Sequence, residues 1–349
     1  MSTRFIKQLA FLLMPFLLAL SSCEPEENSP GGKYSSGVFV INEGNFNEAD
    51  GSVGFYDKES KTYSSDIFKA ENDRPLAGTV QSYAIFNSVG YIVVNNPDRI
   101  EVVNPETFKS TGSVTEGLSI PRYFTAHAGK GYISNWGPYA SDFSSPDSYI
   151  AVVDLTTLKV TKSIEVGSRP EQLVLINNTL YVASNGAGTV TVIDLTSESV
   201  TSTIPVHFTP KCLVPGNDNI LWVGTGEGYA GINTTNNILT SDFSFENRTF
   251  TGNLVLNPAK NVIYVMEADY SSGNYTILAF DANGIEVNGW PVITKKNLYG
   301  MEVDPENGNI YVADNNGFQG NGTIIIFDED GTEIDNFPAG RAPNGFLFK

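Results

Sequence analysis

Cysteine is nearly absent: the 349 residues hold two, Cys23 and Cys212. That count excludes a disulfide framework and any cysteine-based metal site. Cys212 stands in the apolar run Lys211-Cys212-Leu213-Val214 and reads as a buried, inert thiol. Histidine is as scarce, with His127 and His207 alone, so no Ser–His–Asp constellation can be argued from spacing. Basic residues are few, 21 Lys and Arg against 39 Asp and Glu, for a formal net charge of -18. A body this acidic lacks the cationic surface that nucleic acid or anionic lipid requires. It suits solubility, or a neutral or cationic ligand. A long apolar run is missing too. The stretch from Leu9 to Leu20 falls short of the roughly 20 residues of a comfortable membrane span.

That short run has another use. Arg4 and Lys7 precede it, and Leu20-Ser21-Ser22-Cys23 follows, the charged, apolar and small-residue plan of an export signal. The ending resembles a bacterial lipobox, which implies cleavage before Cys23 and a lipid on its sulfur. The reading is therefore a signal peptide over residues 1–22 and a lipidated flexible tether over residues 23–36. The tether is rich in Pro, Gly and Ser. Glu24, Glu26 and Glu27 directly after Cys23 resemble the signal that exports Bacteroidetes lipoproteins to the outer face of the outer membrane.

What is present in quantity is a repeat. Aromatic residues in Tyr-Val-type strands recur at Phe39, Tyr91, Tyr132, Tyr181, Trp222, Tyr264 and Tyr311, spaced by 41 to 52 residues. After each, a second strand ends at Asp57, Asn104, Asp154, Asp194, Asn233, Asp281 or Asp328. Strand repeats of this period predict an all-β, seven-bladed β-propeller of four-stranded antiparallel blades over residues 37–349. An inner strand precedes every aromatic strand except the first, and Phe346-Leu347-Phe348 at the C-terminus is left over. That segment is expected to close the first blade, which removes an open edge. The recurring Asp and Asn read as turn initiators whose short side chains bond backbone N–H groups. Asp328, Asp330 and Glu333 are too closely spaced for an EF-hand loop.

In such blades the loops after strands two and four open on one face, where loops carry function on a rigid scaffold. The fourth-to-first loops place Arg74, Arg122, Tyr123, Arg169, Phe208, Arg248, Tyr299 and Arg341 there. The second-to-third loops add Asn135, Trp136, Tyr139, Tyr229, Tyr270 and Phe318, the third repeat having the longest loop, to about Ser148. Arginine and aromatics anchor binding surfaces, and an aromatic bowl with a few polar groups suits a bulky, partly apolar ligand. Turns of Gly-x-x-Pro and Arg-Pro type also repeat simply because the fold repeats, which explains Gly167/Pro170 and Gly340/Pro343 but not the enlarged third-repeat loop. Catalysis has little support. His127 is expected on the opposite rim, and nothing in the spacing makes Glu227, Glu267 and Glu302 converge. The chain reads as a binder, not an enzyme, with no cofactor and no metal.

Thr179-Leu180-Tyr181-Val182-Ala183-Ser184-Asn185, Val190-Thr191-Val192-Ile193-Asp194-Leu195-Thr196 and Val166-Gly167-Ser168-Arg169-Pro170 carry a further likeness. They resemble the YncE-like propeller repeat, most strongly in repeats three and four, while repeats one, five and six depart from it. With the lipobox and the acidic stretch, the whole chain resembles the DUF5074-type surface lipoproteins of Bacteroidetes. Some members of that group capture vitamin B12 and pass it to a TonB-dependent transporter. The resemblance implies a cobalamin-like ligand on the loop face, that transporter as partner, contact with the membrane through the N-terminal lipid only, and an outer-membrane location facing the exterior. The competing readings are an accessory subunit of a surface nutrient or glycan complex with no small ligand, and a lyase or hydrolase using the same face.

Overall fold

The computed structural model describes residues 32–287, 289–290 and 293–349. The expected export signal and Cys23 lie outside the described residues. Among the described residues no helix is long and apolar enough to cross a membrane. Seven antiparallel four-stranded sheets stand as blades around a central channel. The last strand, Pro343–Phe348, pairs with Val38–Asn42 in the register Phe39 to Leu347 and Val38 to Phe348. It thereby supplies the innermost strand of the first blade and closes the ring.

The ring is held by the alternation of each strand. Side chains point to opposite faces with period two, and each blade face is buried against a neighbour. In the first blade Phe39, Ile41, Val53 and Phe55 pack toward blade two with Tyr83, Ile92 and Val94. Val38, Val40 and Tyr56 pack toward blade seven with Tyr311, Ile324 and Phe337. A core cluster of this kind fills each of the seven interfaces. All seven aromatic anchors lie inside these clusters, each no more than 5% exposed. The turn residues do what their type requires: Asp154 Oδ1 accepts from the Thr156 and Thr157 N–H groups, and Asp194 Oδ1 from Ser197 N at 2.7 Å. These donors hold both carboxyls below their ordinary range.

Three local features depart from expectation. The tether does not run unbroken to residue 36. Tyr34 is 2% exposed, sits edge-on to Phe55 and Phe108, and donates from its hydroxyl to Glu71 at 2.8 Å. An aromatic of that area gains more from burial than an exposed tether offers. A one-turn helix, Ile67–Asn72, occupies the loop between blades one and two, capped by Asp66 and anchored by buried Ile67 and Phe68. The third departure sets up the site. In six of the seven blades the register between the innermost and second strands shifts near the loop-face end of the inner strand. Such bulges leave residues unpaired and re-aim their side chains. The residues within them include Gln81, Arg122, Tyr123, Glu171, Gln172, Asn253, Tyr299 and Asn344.

Candidate functional site

The bulges turn polar side chains toward the ring axis at the loop face, and the loops of blades one, two, three and seven wall them in. The result is an open cavity of about 630 Å³, lined by Glu43, Asn45 and Phe46, Asn96 to Asp98, Ile120 and Arg122, Trp136 and Tyr139, Phe318 and Arg341. That volume is in the range of small-molecule sites. The fourth-to-first turns enter it through strained backbone. Ile120, a β-branched residue, has φ 51° in the left-handed region, where such side chains are outliers that cluster at functional sites.

The floor is a layered charge arrangement. Arg122 has 17% of its side chain exposed and donates from Nε to Glu171 Oε2 at 3.3 Å. Its guanidinium lies 4.5 Å from the Trp136 ring centroid, and that of Arg169 lies 5.3 Å from the same ring. Burial alone would weaken the Arg122 charge, but the Glu171 carboxylate, with Tyr123 and Glu43 farther off, more than offsets it. Beside them Glu43 accepts from Gln81 Nε2 at 3.0 Å and from the Tyr299 hydroxyl at 2.6 Å. Burial first, and the Glu43 carboxylate second, push the Tyr299 hydroxyl well above its ordinary pKa. Trp136 is thus a scaffold for two guanidinium groups rather than a bare stacking surface. The bare aromatic surface is at the rim, where Phe46, Tyr139 and Phe318 are 63%, 49% and 48% exposed. Among the described residues, all six exposed large aromatics (these three with Phe143, Phe208 and Tyr270) stand on this face.

The structure brings together Arg122, Trp136, Tyr139, Phe318 and Arg341 in the cavity wall, with Arg169 stacked behind and Tyr299 beneath. Arg341 is tied by Nη1 to Glu48 at 2.9 Å and Asp50 at 3.6 Å. Tyr123 lies below, in the channel wall, where burial raises its hydroxyl pKa. Others stand apart. Arg74 lies on the flank of blade two, bonded to Glu101 Oε1 at 2.6 Å and Ser110. Asn135 is fully buried and braces a turn, donating to Ile133 O and accepting from Ser119 N. Arg248 pairs with Glu267 and Glu286 on the far side of the ring. Phe208 and Tyr270 are exposed there, outside the cavity wall.

Tyr229 corrects the expectation of a loop residue. It is 1% exposed, in the strand Gly228–Asn233, against Trp222, Phe243 and Phe280 in the core between blades five and six. The connection before it, between Thr225 and Gly228, is too short to form a projecting loop. Conversely, Glu43, Gln81, Asp98, Ile120 and Glu171 shape the site and were absent from the expected set. A signal for two of them existed: Gln81 and Glu171 are polar residues near the start of inner strands whose far ends are apolar.

Beneath the cavity the channel holds about 290 Å³, lined by inner-strand residues including Tyr123, Gln172, Lys211, Cys212, Asn253, Glu302 and Asn344. Burial pushes the Glu302 carboxyl up to about 7 and the Cys212 thiol up to about 12. Cys212 Sγ donates to Leu254 O at 3.2 Å. His127 is at the opposite rim, in the hairpin with Lys130, and His207 pairs with Asp242. Among the described residues no three His, Cys, Asp or Glu side chains are grouped to hold a metal ion.

A family model described as a domain of unknown function, DUF5074, matches residues 36–341. The chain belongs to the DUF5074 family. No curated protein matches this DUF5074 chain. Solved structures share its fold at low identity. One is a putative 6-phosphogluconolactonase of Bacteroides fragilis, 12% identical, with TM-score 0.67 over 92% of this chain and 100% of that one. Another is a quinonprotein alcohol dehydrogenase-like protein of Bacteroides thetaiotaomicron, 16% identical, with TM-score 0.65 over 90% of this chain and 78% of that one. A third is the hydrazine synthase of Kuenenia stuttgartiensis, 18% identical, with TM-score 0.58 over 73% and 85%. At these identities the likeness is one of fold, and their chemistry does not transfer.

Proposed function

We propose that this DUF5074 protein is a lipid-anchored cell-surface binder. It holds a bulky, partly apolar nutrient of cobalamin type on its loop face and delivers it to a TonB-dependent outer-membrane transporter. The observation that carries this reading is the 630 Å³ cavity, with a charged floor of Arg122, Glu171 and Glu43 and a rim of exposed aromatics. A corrinoid is larger than the cavity and would lie across its mouth, its edge against Phe46, Tyr139 and Phe318. The Arg122–Glu171 pair carries no net charge, so the floor offers hydrogen bonds to a neutral ligand without demanding an anion. The reading is of binding without turnover, since Glu267 is committed to Arg248 and the two histidines stand outside the cavity wall. The test is calorimetric titration of the purified protein with cyanocobalamin and with cobinamide. Saturable binding of either, lost in Trp136→Ala, supports the proposal, and absence of heat at micromolar protein removes corrinoids. The six exposed aromatics also favour a second reading, a protein-binding face of an accessory subunit. A co-purifying outer-membrane partner with no bound small molecule would select it.

A further inference from the structure

The channel below the cavity is independent of that reading and has its own chemistry. Three consecutive innermost strands meet there: Phe250–Leu256, Leu298–Val303 and Pro343–Phe348. The middle one carries Glu302 and is clasped by both neighbours. On one side Asn253 Nδ2 donates to Tyr299 O at 2.9 Å. On the other the Asn344 backbone approaches Gly300 so closely that a Cβ there would stand 2.3 Å from Asn344 O, which is why glycine occupies the position. Asn253 and Asn344 both sit in bulges, so their side chains are aimed inward.

Three of the polar groups left over between these strands are acceptors, and the Lys211 ammonium shares the channel with them. An amide nitrogen facing a carbonyl fixes the orientation of Asn253, so its Oδ1 is the end turned away from that bond. Asn344 Oδ1 is buried and accepts from no donor, a state that costs free energy unless something fills it. The Glu302 carboxylate accepts only from the N–H of its neighbour Val303, at 3.1 Å. Among the described residues no Lys, Arg or His comes within ion-pair distance of it. Lys211, in the same channel wall, makes no ion pair with it. A carboxylate and two amide oxygens from adjacent strands, in a narrow polar channel inside a chain of net charge -18, are the donor set of a hard cation.

We propose that the channel binds a hard metal cation, with Glu302, Asn253 Oδ1 and Asn344 Oδ1 as protein ligands and water completing the shell. One formal charge among neutral oxygens makes a weak site, with a calcium dissociation constant no tighter than about 1 mM.

The experiment is thermal unfolding of the protein in calcium, sodium or potassium chloride, against choline chloride at matched ionic strength, with the same series on Glu302→Gln and Asn344→Asp. At about ten times the dissociation constant the preferred ion raises the midpoint by roughly 2–4 °C. Glu302→Gln, isosteric and uncharged, loses that rise, and Asn344→Asp enlarges it through an added charge. Equal midpoints of wild type in all four salts, or a Glu302→Gln variant that responds as wild type does, overturns the proposal. Corrinoid binding is read separately, so a failure of either proposal leaves the other standing.

Discussion

The loop face has two halves built from the same repeat and unlike in use. In blades one, two, three and seven, loops close over bulged inner strands and enclose a cavity with Arg122, Trp136, Tyr139 and Arg341 in its wall. In blades four, five and six the same loop positions carry Phe208, Arg248 and Tyr270, yet outside that cavity wall. Blade five shows why. Its innermost strand, Cys212–Pro215, is short and pairs with its neighbour without a register shift, and Tyr229 is drawn into the interface core instead of standing at the rim. Where the third blade has 13 residues between strands ending at Asn135 and starting at Tyr149, the fifth turns within two residues. Composition is similar in the two halves. Loop length, together with the unshifted register of blade five, makes one half concave.

The contrast can be broken by mutation. Tyr229→Ala is expected to have the largest effect, a loss of about 3–5 kcal/mol of stability, because it empties an aromatic site in the core. Urea unfolding measures it, and cyanocobalamin affinity of the folded fraction should be unchanged. A matching loss of affinity would mean that the two halves are not separable. Glu171→Ala comes next. It leaves the buried Arg122 charge unpaired, which costs toward the low end of about 3–5 kcal/mol, and it should weaken ligand binding as well, since the floor loses the partner that holds Arg122 in place. Trp136→Ala removes the slab under two guanidinium groups and should reduce cyanocobalamin affinity about 100-fold, equivalent to about 3 kcal/mol. Phe208→Ala, the far-half control, should change it less than about twofold. A larger effect of Phe208 than of Trp136 would move the site.

The pH dependence concerns the channel that both halves share. Glu302 is raised to about 7 in the folded protein from an ordinary 4.5. Between these values the folded state binds more protons than the unfolded one, so stability falls as pH rises from about 4.5 to about 7 and levels off above. Unfolding in choline chloride at pH 5 and pH 8 should show a loss of about 1–3 kcal/mol from this group. Glu302→Gln should remove that part of the slope. A slope unchanged by the substitution would show that Glu302 is solvated in the channel.

Much of this molecule is readable from spacing alone. Tyr181 and Tyr311 mark strands because an aromatic beside β-branched residues needs a pleated, buried surface, and Asp154 and Asp194 mark turns because their carboxylates bond the next N–H groups. The stranded Phe346-Leu347-Phe348 segment foretells ring closure, since an unpaired inner strand has one place to go. The site was legible only in part. Arg122 and Trp136 were recognisable as anchors, but Gln81, Glu171 and Glu43 were not, and Tyr229 and Asn135 were expected outside the interior where they lie.

The amino-acid sequence by itself determined the ring, its seven wedges, its closure and the face on which loops accumulate. Those depend on period, propensity and turn chemistry, which act over a few residues at a time. Tertiary structure decided which loops converge, which inner strands bulge, and that Glu302, Asn253 and Asn344 share one channel wall. A register shift of one residue re-aims a side chain from core to channel. That choice is set by packing between blades far apart in sequence, so no local pattern records it.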